Sequence, residues 1–518
     1  MSHLRRSARL LIAATSGTAL LATSACSGSS APASAGDVVS DATFTLAINV
    51  DPGSLNPLGS NLAGVQQLAA FLYDPLVHDE DGKVTAGLAS SWELTDSGAM
   101  FTMRDDVTCS DGTPLTGQDV IDTINYVGDT KNASPLAGSL IPAGTTAAAG
   151  PDDTQVTVST PEPYGFLLNG LAGLPIVCAS GLKDLDELGT SASGSGPYTL
   201  ESVSAGSRYE LQRRDDYAWG QDGVTGKTKG LPARIVVQVV PNETTAANQL
   251  LAGDLDAATI AGADRKRLEA ADLEPEASSF VFGELEYNQK TGRPTADPAV
   301  RVALTQALNL DELRQVATSG TGSTPTRLSG VSPCGDGGVA DVLPKQDVEA
   351  AKAALGPVSG TTLSFVYLSK LGPAVAAAAE LAVEQWEAAG VTVEARGLSD
   401  AQLLKAAYET GDFDIAWIPI DGQNPAQIAP SFSGPTPADG GGNFASIDNA
   451  TYAELAAKAG ALPTEEACSI WEDAEEALVS AADVVPFAFS DYPIWAAKAT
   501  SFEVNYFGAV PSSIRMHG

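Results

Sequence analysis

The chain has 518 residues, 44% of them hydrophobic, with 29 Lys and Arg against 64 Asp and Glu and a formal charge of −35. That apolar share excludes a disordered acidic chain and the length suits two large lobes, while the acidity repels phosphate backbones and so excludes nucleic acid as a partner. Three histidines, at positions 3, 78 and 517, are too few for His-based metal sites or a Ser-His-Asp nucleophile system.

Arg5, Arg6 and Arg9 precede a largely apolar run over residues 10–22, followed by Thr23, Ser24, Ala25 and Cys26. This order reads as an export signal, too short to span a bilayer as a mature helix. A Cys directly after small residues resembles the lipobox of bacterial lipoproteins, which implies a signal peptide over residues 1–25 and lipidation of Cys26. Residues 26–41 begin with SGSSAPASAG after that Cys and read as a flexible tether. Loss of residues 1–25 removes three arginines and no acid, so the charge of −35 becomes −38.

Residues 43–49 (TFTLAIN) alternate as a half-buried strand, and a turn-rich 51–57 (DPGSLNP) follows. Residues 234–240 (RIVVQVV) form a second strand, Pro241 and Asn242 open a helix through Leu251, Gly253 stops it, and 255–260 is a further strand. Later, 363–367 (LSFVY) is a strand leading into a helix over 374–389. On that helix Val375, Ala379, Ala382 and Trp386 share one face; Gly390 ends it before a strand at 391–395. Such units imply a mainly parallel sheet flanked by helices. Glu465-Glu466 and Glu475-Glu476 fall on helical stretches as solvated faces, and the loop of His78, Asp79, Glu80 and Asp81 faces water.

Three blocks open a longer pattern: 55–57 (LNP), 72–77 (LYDPLV) and 88–93 (LASSWE). Next come 101–107 (FTMRDDV), 110–116 (SDGTPLT), 196–198 (GPY), 214–217 (RDDY), 253–256 (GDLD) and 297–301 (DPAVR) running to Ala307-Leu308-Asn309. In this order they resemble the family 5 solute-binding proteins of bacterial ABC importers, of the oligopeptide, dipeptide and nickel type. Local chemistry explains several blocks on its own: Asp111-Gly112 makes a turn, and Asp119 and Asp297-Pro298 sit at helix starts.

The resemblance implies an α/β, two-lobed periplasmic-binding-protein-like fold (type II, cluster C) with mixed sheets and flanking helices. Lobe I would span 42–279, with an extra subdomain at about 76–188; lobe II would span 280–491, and 492–518 would return to lobe I. Residues 280–288 (FVFGELEYN) and 484–490 (VVPFAFS) are the candidate hinge strands. An oxidising compartment allows three pairings of Cys109, Cys178, Cys334 and Cys468. Cys109 with Cys178 and Cys334 with Cys468 is favoured, because each pair then sits within one lobe.

By the same resemblance the chain is a monomeric, non-catalytic receptor, lipid-anchored outside the cell membrane. It would capture oligopeptides or dipeptides in the inter-lobe cleft and deliver them to ABC importer permease subunits, with neither cofactor nor metal. The alternatives are a transport-inactive relative acting in cell-envelope assembly, or a receptor for a non-peptide solute. Peptide-binding relatives pair an acid with the ligand's α-ammonium, and Asp421-Gly422-Gln423-Asn424-Pro425 fits that segment, though without the Gly-Trp usual before the acid. Asn443, after three glycines, and Tyr287 and Asn288, at the end of a hinge strand, are the further ligand-binding candidates.

Overall fold

The computed structural model describes residues 37–80, 82–95 and 97–518, so the signal-peptide and Cys26 readings lie outside the described residues. Its spine is a ten-stranded sheet. The strands are β1 (Thr43–Ile48), β2 (Tyr198–Ser204), β3 (Arg208–Arg213), β4 (Arg234–Val239), β5 (Ala257–Thr259), β6 (Pro275–Tyr287), β7 (Thr362–Leu368), β8 (Thr392–Leu398), β9 (Ile415–Trp417) and β10 (Val484–Ala496). They lie in the order β8-β7-β9-β6-β10-β5-β1-β4-β3-β2.

The strand-helix-strand units are parallel: β1 pairs with β4 and β5, and β7 with β8 and β9. The sheet as a whole is mixed rather than mainly parallel, because β6 and β10 run antiparallel to each other and to β9 and β5 beside them. Both units form for the reasons the sequence offers. The Asn242 side chain accepts from the Thr245 N–H at 2.9 Å, and Gly253, at φ 80°, closes the helix Glu243–Ala252. On the helix Pro373–Ala388, Val375, Ala379, Ala382 and Trp386 are all buried, and the Trp386 indole donates to the Leu304 carbonyl at 2.9 Å.

A four-stranded antiparallel sheet (Ala89–Thr95, Gly98–Met103, Gln155–Ser159, Thr146–Ala149) forms a separate layer beside the helix Gly117–Gly128. The Asp119 carboxylate accepts from the Thr116 N–H at 2.8 Å and the Ala179 N–H at 2.6 Å, joining that helix start to the Cys109–Cys178 bridge. Cys334–Cys468 is the second bridge, as expected.

Three of the shared sequence blocks meet at one buried junction. Asp74 accepts from the Tyr217 hydroxyl, the Trp219 indole and the Ser195 hydroxyl, each at 2.9 Å. Arg214 donates to the carbonyls of Thr108, Ser195 and Cys109. Gly196 packs so tightly here that a Cβ would stand 2.5 Å from the Leu72 carbonyl carbon. His78 is half-buried and within electrostatic reach of Asp74 and Asp222, not in open solvent as expected.

One core draws on residues from Phe44 to Ala257 and again from Ile494 to Met516; two others lie mainly between Leu285 and Ala488. The chain passes between these groups along the long strands β6 and β10, paired from Pro275 opposite Trp495 to Glu286 opposite Val484. Their register shifts at Val281, Gly283 and Glu284, and a Cβ at Gly283 would stand 2.4 Å from the Phe487 ring. A bulge where the paired strands pass from one core to the next is a natural place for twist to change.

Candidate functional site

Strands β7, β8 and β9 are parallel, and the loop that leaves the carboxyl end of β9 carries Asp421. Open α/β sheets place ligands at such strand ends. The Gly330 N–H, at 2.8 Å, and the Val281 N–H on β6, at 3.4 Å, both donate to Asp421 Oδ1. No side-chain donor reaches Oδ2 among the described residues. Burial raises the carboxyl above its ordinary value, while those N–H groups, that of Gly422 and the charge of Arg327 hold the rise back. Asp421 is therefore half-buried and held by backbone N–H groups. Tyr506, from the C-terminal return, stands within electrostatic reach, and burial together with the Asp421 charge pushes its phenol up to about 12.

The segment after Asp421 forms because Asn424 accepts from the Gln427 N–H at 3.2 Å and Pro425 fills the first position of the helix Pro425–Phe432. Its neighbours reach the other lobe. Gln427 Nε2 donates to the Ser139 carbonyl, the Tyr164 hydroxyl approaches the otherwise unpartnered Asn424 Nδ2, and Thr464 donates to Asn169 Oδ1 at 3.1 Å. The Gly165 N–H donates to the Gly460 carbonyl at 3.0 Å, and Phe166 lies 6.4 Å from Trp471, centroid to centroid. The arrangement is a closed one, with Asp421 between the crossing strands and these contacts.

The other three candidates are engaged elsewhere. Asn443, 2% exposed, spends its amide on the Gly434 and Ile447 carbonyls and accepts from the Ile447 N–H, so it clamps its own loop. Asn288 donates to the Gly411 and Phe413 carbonyls and accepts from the Lys290 N–H. Tyr287 packs in a core with its hydroxyl 3.1 Å from that of Thr305. Asn443, Asn288 and Tyr287 are thus committed to protein side-chain and backbone partners, while Asp421 accepts only from backbone N–H groups.

Two features escaped the sequence reading. Glu475 is 5% exposed instead of solvated, because it shares the buried stripe of the helix Thr464–Ser480 with Ala467, Trp471 and Leu478. That spacing was visible in the sequence. Glu284 and Glu286, on the candidate hinge strand, are fully buried. Alternation along β6 puts them on one face and Leu285 and Tyr287 on the other, which packs into a core. Burial raises both glutamates well above the ordinary carboxyl range. Among the described residues no group of three His, Cys, Asp or Glu side chains is placed to hold a metal ion.

The family model for bacterial extracellular solute-binding proteins, family 5 Middle, matches residues 83–439. The chain is 26% identical over 307 residues to the periplasmic murein peptide-binding protein MppA of Escherichia coli, covering 54% of this chain and 55% of that protein. It thus spans about half the length of that curated relative. Among solved structures, a substrate-binding protein from Microbacterium hydrocarbonoxydans, complexed with 4-hydroxybenzoate hydrazide, is 26% identical, with a TM-score of 0.68 over 92% of this chain and 100% of that one. The unliganded open form of MppA has a TM-score of 0.74 at 18% identity, over 93% and 99%.

Proposed function

Because the chain belongs to the family 5 bacterial extracellular solute-binding proteins, we propose that it is a lipid-anchored receptor that captures short peptides between its lobes. Asp421 receives the peptide's α-ammonium, and closure about β6 and β10 presents the cargo to ABC importer permeases. The observation that carries this reading is the Asp421 carboxylate, held on Oδ1 by two backbone N–H groups at the carboxyl end of β9. A buried carboxylate facing an ammonium makes a short, charge-assisted bond. The name of MppA, a murein peptide binder, supports a peptide cargo, and Cys26 after small residues supports the anchor. Domain closure of this kind rests on a few residues that absorb torsional change, and the shifted register around Gly283 suits that role.

A second reading, a non-peptide solute, is favoured by the full-length likeness to the Microbacterium protein with its aryl hydrazide. Tryptophan fluorescence and thermal shift with a library of di- to pentapeptides and a set of aryl hydrazides separate the two. Saturable changes with peptides are expected. A response to hydrazides alone would replace the peptide assignment.

A further inference from the structure

Behind Asp421 lie three more carboxylates: Glu284 is within electrostatic reach of Asp421, Glu475 and Glu286. Glu284 and Glu286 are 0% exposed and Glu475 is 5% exposed. A chain of backbone donors links them to the cleft. The Ile420 N–H donates to Glu284 Oε2 at 3.3 Å, the Leu328 N–H to Glu475 Oε2 at 3.0 Å, and the Gly330 N–H to Asp421 Oδ1 at 2.8 Å. Segment 328–330 thus donates to both Asp421 and Glu475, and segment 420–421 both carries Asp421 and donates to Glu284.

Hydrogen bonding around the buried glutamates is unbalanced. Glu284 Oε1, both Glu286 oxygens and Glu475 Oε1 have no protein partner. The N–H groups of Ile418 and of Glu286 itself approach Glu286 but fall outside hydrogen-bonding geometry. Ser329 Oγ and the Trp471 indole nitrogen, from residues 0% and 2% exposed, also lack partners. Each unmatched buried group carries an uncompensated desolvation cost, larger when it is charged. Arg327, the cation in electrostatic reach of Glu475, is committed to Asp336 and the Gly330 carbonyl and lies over the Phe489 ring. What this place lacks is positive charge: the unpaired Ser329 hydroxyl and Trp471 N–H can donate to the carboxyl oxygens but cannot balance their ionised forms. The carboxylates are not clustered as metal ligands, so the complement is an organic cation: a guanidinium brings five N–H donors and an ammonium three.

Resting on the peptide-receptor reading, we propose that Glu284, Glu286 and Glu475 form a subsite for the side chain of a basic residue of the bound peptide. The guanidinium or ammonium passes Asp421 and takes up the unpaired carboxylate oxygens. Burial favours the protonated forms of all three, raising Glu475 to about 7 and Glu284 and Glu286 well above the ordinary carboxyl range. Asp421, Glu472, Arg327 and the phenols of Tyr408 and Tyr452 are the titratable and charged groups within their reach. Entry of a cation favours the ionised forms, so the carboxyl protons leave to solvent as the cation arrives.

The test is titration calorimetry of the whole protein at pH 6.5 with Arg-Ala-Ala, Ala-Arg-Ala and Ala-Ala-Arg, each beside its citrulline twin, in phosphate and in Tris. One arginine peptide is expected to bind at least about 10-fold tighter than its twin, as charge-assisted bonds to the carboxylates allow. Its enthalpy should differ between buffers as proton release requires, and Glu286→Gln and Glu284→Gln should each bring the ratio towards one. Arginine and citrulline twins binding within twofold of each other would overturn the subsite, as would a ratio that persists in both variants. Binding of none of the six peptides would instead refute the underlying peptide reading, and the subsite with it.

Discussion

Replacing Glu475 with glutamine should flatten the pH dependence of stability between pH 5 and 7. Burial raises this carboxyl from its ordinary 4.5 to about 7, against the Leu328 N–H and the charge of Arg327, which pull it down. The folded protein therefore holds the proton more tightly than the unfolded chain. Its contribution is fully present below about pH 4.5 and is lost as pH rises towards 7. At about 1.4 kcal/mol per pH unit the gap amounts to about 3 kcal/mol. In Glu475→Gln the amide oxygen can still accept from Leu328, and its NH2 group adds a donor where Glu284 Oε1 and Glu286 lack one. The variant should match the parent near pH 5 and exceed it by about 3 kcal/mol near pH 8, read from urea midpoints and slopes followed by tryptophan fluorescence. Parallel curves for the two proteins across that range would refute the burial argument.

Arg301→Met should cost about 3–5 kcal/mol, because it leaves the buried Asp483 carboxylate with the Gln289 and Asn449 amides, each at 2.8 Å, but no counter-charge. A loss under about 1 kcal/mol in denaturant titration would contradict that account. Gly283→Ala should destabilise by about 1–3 kcal/mol, since its Cβ would meet the Phe487 ring at 2.4 Å in a packed crossing. Combining it with Phe487→Leu should recover part of the loss, and strict additivity of the two changes would count against this contact.

Much of the architecture was legible because it is local. The stripe of Val375, Ala379, Ala382 and Trp386 and the caps Asn242 and Gly253 are set by neighbours three or four residues away. The pairing of Pro275–Tyr287 with Val484–Ala496 is not local, and no periodicity announces that these strands run antiparallel between the two parallel units of the sheet. The site was harder for a related reason. Asn443 and Asn288 looked like ligand amides, but their own loops needed the bonds, and only the folded chain decides which carbonyl an amide meets. Glu475 shows the opposite error, a charge assumed to be outward although its position matched the apolar stripe. Glu284 and Glu286, alternating with Leu285 and Tyr287 on an otherwise apolar strand, were the sequence signal of an unusual interior and passed unread.

The central claim is that Asp421 receives a peptide α-ammonium. Titration calorimetry comparing the best-bound peptide with its N-acetylated form tests it most directly, because acetylation removes the charge and changes little else. A loss of about 10- to 100-fold on acetylation is predicted from a charge-assisted bond worth about 1.5–3 kcal/mol. Equal affinity for the two forms would contradict it.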